Sequence, residues 1–349
     1  MSIEWVDFFN ALVSNPTLVA VVILNIGVII VNGATDAPNA IATVVSTRCI
    51  KPGRAVIMAA ICNFFGLLII TLVSSAVATT IFRMVDFGQD QHAALMALLA
   101  AMVAIIVWGV TAWFFGIPTS QSHSLIAGLT GAALAVHGGF DGVNWAEWMK
   151  VIYGIVLSAV MGFGFGWLFA RIIKRTCKNI HRVKLDTFFT RAQIVAAAAV
   201  AFVHGAQDGQ KFMSIFMLAI ALSIGAGNVE QFDLPIWLMV ICALNMGIGT
   251  ASGGKRIIKN VGVDMVKLEK FQGFASSMST AVSLLISTLG GLPVSTTHTS
   301  TTAIMGVGAE KNIRDVKWSI AWDMAKTWIL TFPGCGLLGY VFTLIFLAF

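Results

Sequence analysis

Two carboxylates stand where an apolar chain can least accommodate them. Asp36 lies in Asn32-Gly33-Ala34-Thr35-Asp36-Ala37-Pro38-Asn39-Ala40, between the aliphatic runs 18–31 and 41–45. Asp208 lies in His204-Gly205-Ala206-Gln207-Asp208-Gly209-Gln210-Lys211, so that Gly-Ala-x-Asp recurs at a shift of 172 residues. An ionised carboxylate is an acceptor-only group that suits a cation or a transferable proton. Inside a membrane span it marks a functional site by default. Asn32 and Asn39 set amides beside Asp36, whereas Lys211 takes the place of Asn39 in the second copy. The Lys211 ammonium can neutralise Asp208 or attract an anion as a point charge.

A second motif is also repeated. Gly116-Ile117-Pro118-Thr119-Ser120-Gln121-Ser122-His123-Ser124 is answered by Gly291-Leu292-Pro293-Val294-Ser295-Thr296-Thr297-His298-Thr299 at a shift of 175 residues. Proline at a helix start leaves the next amides pointing outward, and a helix N-terminus is a ready anion site. Thr119, Ser120, Gln121 and Ser122 from one copy, with Ser295, Thr296 and Thr297 from the other, add donors that suit a tetrahedral oxyanion. The plainer reading is that these hydroxyls cap two helices and let them pack closely. His123 and His298 hold matched places, either as hydrogen-bond supports of the helix starts or as proton carriers. His204 stands where it can titrate beside Asp208, flanked by Gln207 and Gln210, while His92, His137 and His181 fall at loop edges. Asn63 and Gln272 are lone polar residues on apolar stretches that line a cavity or join two helices.

The elements that must position these groups are apolar and long. Of 349 residues, 58% are hydrophobic and 11% charged, with a mean hydropathy of +0.87, the composition of a helical membrane protein. Ten windows reach membrane length, at 17–47, 54–82, 92–115, 119–137, 146–172, 190–225, 234–251, 270–290, 294–308 and 316–347. The Gly, Pro and Asn residues around Asp36 predict a helix broken there, because freed backbone groups at membrane depth must line a cavity or face protein. Basic residues concentrate in 171–191, in the turn 48–54 and in a predicted loop 252–270, while 139–150 and 226–234 are acidic. With basic loops inside, ten alternating spans leave both termini outside.

Two motifs in the same order at nearly one shift divide the chain into halves of five spans, and an odd number turns the second half over. The predicted fold is an all-α polytopic membrane protein. It comprises two inverted-topology repeats of about five membrane segments each, with broken helices at the midplane. The first repeat core covers 1–145, a connecting span and basic cytoplasmic loop 146–189, and the second repeat 190–349.

Other chemistry finds little footing. The glycines form no phosphate-binding loop after a strand, and no nucleophile lies at a useful spacing from a base. The five cysteines are scattered singly, without metal-ligand spacing. Residues 1–15 lack the basic stretch of a cleavable signal. The net charge of +6 belongs to the loops and argues for no nucleic-acid partner. No enzyme activity, metal or cofactor is expected.

The Asn32–Ala40 and His204–Lys211 segments and the two Pro-x-Ser-x-x-His segments together resemble the inorganic phosphate transporter (PiT) family, in its bacterial low-affinity permease branch. The resemblance spans both halves of the chain. It implies symport of inorganic phosphate across the cell membrane, on an inverted-repeat fold that is usually a homodimer. It places Asp36, Asn39 and Asp208, with Asn32, at cation or proton coupling positions. Thr119, Ser120, Gln121, Ser122, Ser295, Thr296, Thr297 and Lys211 would surround phosphate, with His123, His298, His204, Gln207 and Gln210 in support. Gly-Gln-Lys in the second half is similar to members associated with protons and neutral metal–phosphate substrates, and Asn63 stands where eukaryotic members carry a glutamate. Sodium coupling and sulfate transport remain alternatives within the family, and an anion channel or non-transporting sensor lies outside it.

Overall fold

Residues 4–114, 120–225, 233–264, 268–316 and 318–348 are described by a computed structural model. Among them the chain forms helices α1 (Trp5–Ser14), α2 (Pro16–Ser46), α3 (Pro52–Val73), α4 (Ala76–Arg83), α5 (Gln91–Phe114) and α6 (Gln121–His137). There follow α7 (Trp145–Thr176), α8 (Arg182–Ser223), α9 (Ile236–Asp264), α10 (Lys270–Leu289), α11 (Thr296–Lys311) and α12 (Trp318–Leu347). Among the described residues, six helical segments are long and apolar enough to cross a membrane. Ile57, Ile61, Phe65, Ile69 and Leu72, on one face of α3, are exposed. So are Ile152, Val156 and Val160 on α7. Apolar stripes of this extent suit contact with lipid.

Nine of the ten hydropathy windows correspond to one helix each. The window 54–82 is instead two helices: α3 stops at Val73, Ser74 turns extended, and its hydroxyl accepts from the Ala76 amide at 3.4 Å. Such local side-chain bonds compete with the helical ladder. The predicted loop 252–270 is helical as far as Asp264, and α1 precedes the first window.

The predicted break at Asp36 is absent. α2 runs unbroken for 31 residues through Asp36, and α8 for 42 residues through Asp208. The polar side chains that were expected to disrupt the helix bond to other elements instead. Asn32 reaches Asp208 and Asn39 reaches Thr297, and the helix continues past Pro38 although that residue has no amide hydrogen to give to the ladder. The motif glycines also serve packing: a Cβ at Gly33 would overlap the Met246 carbonyl on α9, and one at Gly205 the Asn63 carbonyl on α3. Interruption falls at the other motif, where α10 ends at Leu289, Gly291 takes a φ of 66° and α11 begins at Thr296. Residues 115–119, which lead into α6, lie outside the described residues.

Each half of the chain is packed largely on the other. α2 lies along α9 and α3 along α8, while α2 and α8 also touch. α7 leaves its sequence neighbours to pack on α10 and α11, and α12 packs on α5 and α6. Gly131 on α6 meets the Gly336 carbonyl on α12, as Gly306 on α11 meets the Phe163 carbonyl on α7. Small residues at these crossings admit backbone to backbone.

Candidate functional site

The site is built on the buried C-terminal part of α8. Every residue from Val203 to Leu222 is buried, so the charges there must find partners within the protein. Asp208 and Lys211, one helical turn apart and each about 1% exposed, form an ion pair of 2.8 Å. The same Lys211 Nζ donates to Ser122 Oγ in the first turn of α6 and to the Val294 carbonyl just before α11, both at 2.6 Å. An ammonium has three hydrogens, and all three are engaged here. One lysine therefore draws together both Pro-x-Ser helix starts, the feature that spacing alone suggested but did not connect. Their approach is also marked by His123 and His298, whose rings lie 5.1 Å apart.

The second oxygen of Asp208 gathers partners from both halves. Asn32 Nδ2 donates to Oδ2 at 3.2 Å, Thr296 Oγ1 lies at 3.5 Å and His204 Nε2 at 3.3 Å. The far side of the His204 ring is fixed by a polar chain: Nδ1 lies 3.1 Å from Asn63 Oδ1, and Asn63 Nδ2 donates to Thr250 Oγ1 at 2.8 Å. Asn63 thus joins two helices and reaches the site through His204. Asp36 completes the group, for one side-chain atom each of Asp36, His204 and Asp208 lie within 4.8 Å of one another. Asp36 is half-buried, unlike Asp208.

The remaining candidate residues divide clearly. Asn39 Nδ2 donates to Thr297 Oγ1 at 2.7 Å, which ties α2 to the start of α11. Ser295 caps α11 by accepting from the His298 amide, whereas Ser120 is the N-cap of α6 without a side-chain cap bond. The capping reading therefore holds for one motif serine of the two. Gln207 bridges Thr288 and the Leu292 carbonyl, and Gln210 donates to the Ser74 carbonyl; both hold the α10–α11 turn and the α3–α4 turn against α8. Gln121 sits half-buried at the first position of α6, and Thr119 lies outside the described residues. Gln272 does not line the site, since it accepts from the Glu269 amide in a capping box at the start of α10. Sequence reasoning missed Thr250, Thr288 and the Val294 carbonyl, because threonines on apolar helices and backbone oxygens carry no motif.

Comparison with known proteins gives this arrangement a context. Residues 32–339 match the model of the phosphate transporter family. A protein of Bacillus subtilis named a probable low-affinity inorganic phosphate transporter is 37% identical over 311 residues, covering 89% of this chain and 91% of that protein. A protein of the same name from Rhizobium meliloti is 35% identical over 330 residues, covering 94% and 96% of the two chains. A solved structure described as the sodium-dependent phosphate transporter superposes with a TM-score of 0.82 at 22% identity, covering 95% of this chain and 99% of that one, and so shares the fold. With a family match over most of its length and curated relatives covered almost end to end, the chain belongs to the phosphate transporter family.

Proposed function

We propose that this protein imports inorganic phosphate across the cell membrane as a secondary active symporter, driven by protons and working by alternating access. The observation that carries the reading is the convergence of both Pro-x-Ser helix starts on Lys211 beside two acids. Helix N-termini and an ammonium favour a tetrahedral anion, while Asp36, Asp208 and His204 offer acceptors for the proton that accompanies it. Ser120, Gln121, Ser122, Ser295, Thr296 and Thr297 bind the phosphate, and Lys211 acts on it through its charge, its hydrogens being engaged elsewhere. Asp36, Asn32, Asn39 and Asp208 couple the cation.

The exchange of packing partners supports two inverted repeats: α2 on α9 mirrors α8 on α3, and α6 on α12 mirrors α11 on α7. In this arrangement the site lies at the interface between halves whose relative rocking exposes it to each side in turn. The basic region 171–191 faces the cytoplasm, both termini lie outside, and the carrier works as a homodimer.

The test is uptake of labelled phosphate by purified protein in vesicles. Accumulation driven by an inward proton gradient, without sodium, is expected, together with counterflow and competition by phosphate over sulfate. Influx indifferent to that gradient would overturn the proton reading, and influx that follows sodium would reassign the coupling ion.

A further inference from the structure

The two halves solve one structural problem with different chemistry. Asn39 and Lys211 hold corresponding places in the repeated motif, and so do Thr297 and Ser122 in the other. Asn39 bonds to Thr297 and Lys211 bonds to Ser122, at 2.7 and 2.6 Å. The same cross-connection is therefore made twice, once by an amide and once by an ammonium. Three residues before each stands an acid: Asp208 is paired with the lysine of its own turn, while Asp36 has only a neutral amide at the matching place.

We propose that Lys211 is a tethered cation filling the place that the first half leaves to an exchangeable one, so that each phosphate travels with one exchangeable positive charge taken up by Asp36, His204 and Asp208. This rests on the symport reading above. The charge count supports it. The groups facing the site are Asp36 from α2, His204, Asp208 and Lys211 from α8, His123 from α6 and His298 from α11; α3 and α9 contribute the untitratable Asn63 and Thr250. The rings of His123 and His298 lie against one another, tilted by 38°. With the three imidazoles neutral, two carboxylates against one ammonium leave the empty site with a single negative charge to be matched, before the charge of the phosphate itself is counted.

The hydrogen-bond chain also shows where a proton would rest. Thr250 Oγ1 donates to the Met246 carbonyl at 2.9 Å, so it accepts from Asn63 Nδ2. That turns Asn63 Oδ1 toward His204 Nδ1, which must carry its hydrogen. His204 Nε2 is then an acceptor facing Asp208 Oδ2 at 3.3 Å, a pairing of two acceptors that one added proton resolves. Exposure agrees with this division, for the tethered charge is sealed in and Asp36 is half-buried.

Moving the lysine should change the number of coupled protons. The measurement is equilibrium accumulation of labelled phosphate in vesicles, expressed as the ionic form that the pH dependence of uptake shows to be carried, against an imposed proton gradient at zero membrane potential. Across a tenfold gradient, one coupled proton gives about tenfold accumulation and two give about a hundredfold. The wild type is expected to show one, Lys211→Asn two, and Asn39→Lys none. Asn39→Lys lies in the half-buried copy and, read together with counterflow that shows it still carries phosphate, tests the count even where Lys211→Asn fails to fold. Wild-type accumulation that ignores the gradient would sink the symport reading itself. A coupled wild type whose folded Lys211→Asn and Asn39→Lys variants keep its stoichiometry would overturn the tethered cation alone.

Discussion

The segment around Asp36 and the segment around Asp208 are copies of one motif in opposite surroundings. Around Asp36 the helix leaves Thr35 exposed and Asp36 and Asn39 half-buried, and the motif reaches outward through amides. Around Asp208 every side chain is enclosed, and the acid is satisfied by a lysine, an asparagine and a histidine. A sealed charge pair is a fixed part of a structure, since separating its members at low dielectric is costly. A half-open acid can exchange its partner. The difference teaches that a repeated motif need not repeat its surroundings, and that the departures between copies decide which acid is sealed.

The comparison can be broken most sharply at the open copy. Asp36→Asn is expected to abolish proton-driven phosphate accumulation, to the level of vesicles without protein, while the purified variant keeps its melting temperature. Accumulation at the wild-type rate would strip Asp36 of its role. At the sealed copy the effect falls on folding. Lys211→Met leaves Asp208 buried without its ammonium and should cost about 3–5 kcal/mol, seen as a large fall in thermal stability in detergent. Adding Asp208→Asn should recover most of that loss, because both charges have then gone. A double variant no more stable than the single one would show that the pair is not what holds this segment.

Packing beneath the two motifs offers a smaller probe. Gly205→Ala drives a methyl into the Asn63 backbone, and overpacking of this kind costs about 1–3 kcal/mol. Because Asn63 orients His204, the variant should also weaken uptake, whereas a stability loss with full activity would separate the scaffold from the site. The smallest effect belongs to Asn39→Ala. Its single bond to Thr297, at a half-buried position, is worth about 1 kcal/mol, so the melting temperature should drop only slightly.

Much of this was legible in the chain itself. Long apolar windows fixed nearly all the helices, because membrane length and hydropathy constrain each segment independently of its neighbours. The acids, the Pro-x-Ser starts and the substitution of Lys211 for Asn39 could likewise be read from residue types. Two kinds of fact could not. Periodicity does not say which helix packs on which, so the exchange of α7 and α12 between halves was hidden. Nor does composition say where a polar side chain will find its partner. Asn32 and Asn39 look like helix breakers in isolation, yet α2 stays whole and they bond to Asp208 and Thr297. The split at Ser74 depends on one local hydroxyl bond, too slight a signal for a hydropathy window.

The exchange of α7 and α12 bears on how the protein is made. α6 leaves the ribosome long before α12, the helix whose carbonyl at Gly336 seats against Gly131. Until residues 318–347 are inserted, the face of α6 around Gly131 lacks this neighbour, and the Pro-x-Ser helix start that bonds Lys211 rests mainly on α5. Assembly of the site is therefore a closing step of biogenesis.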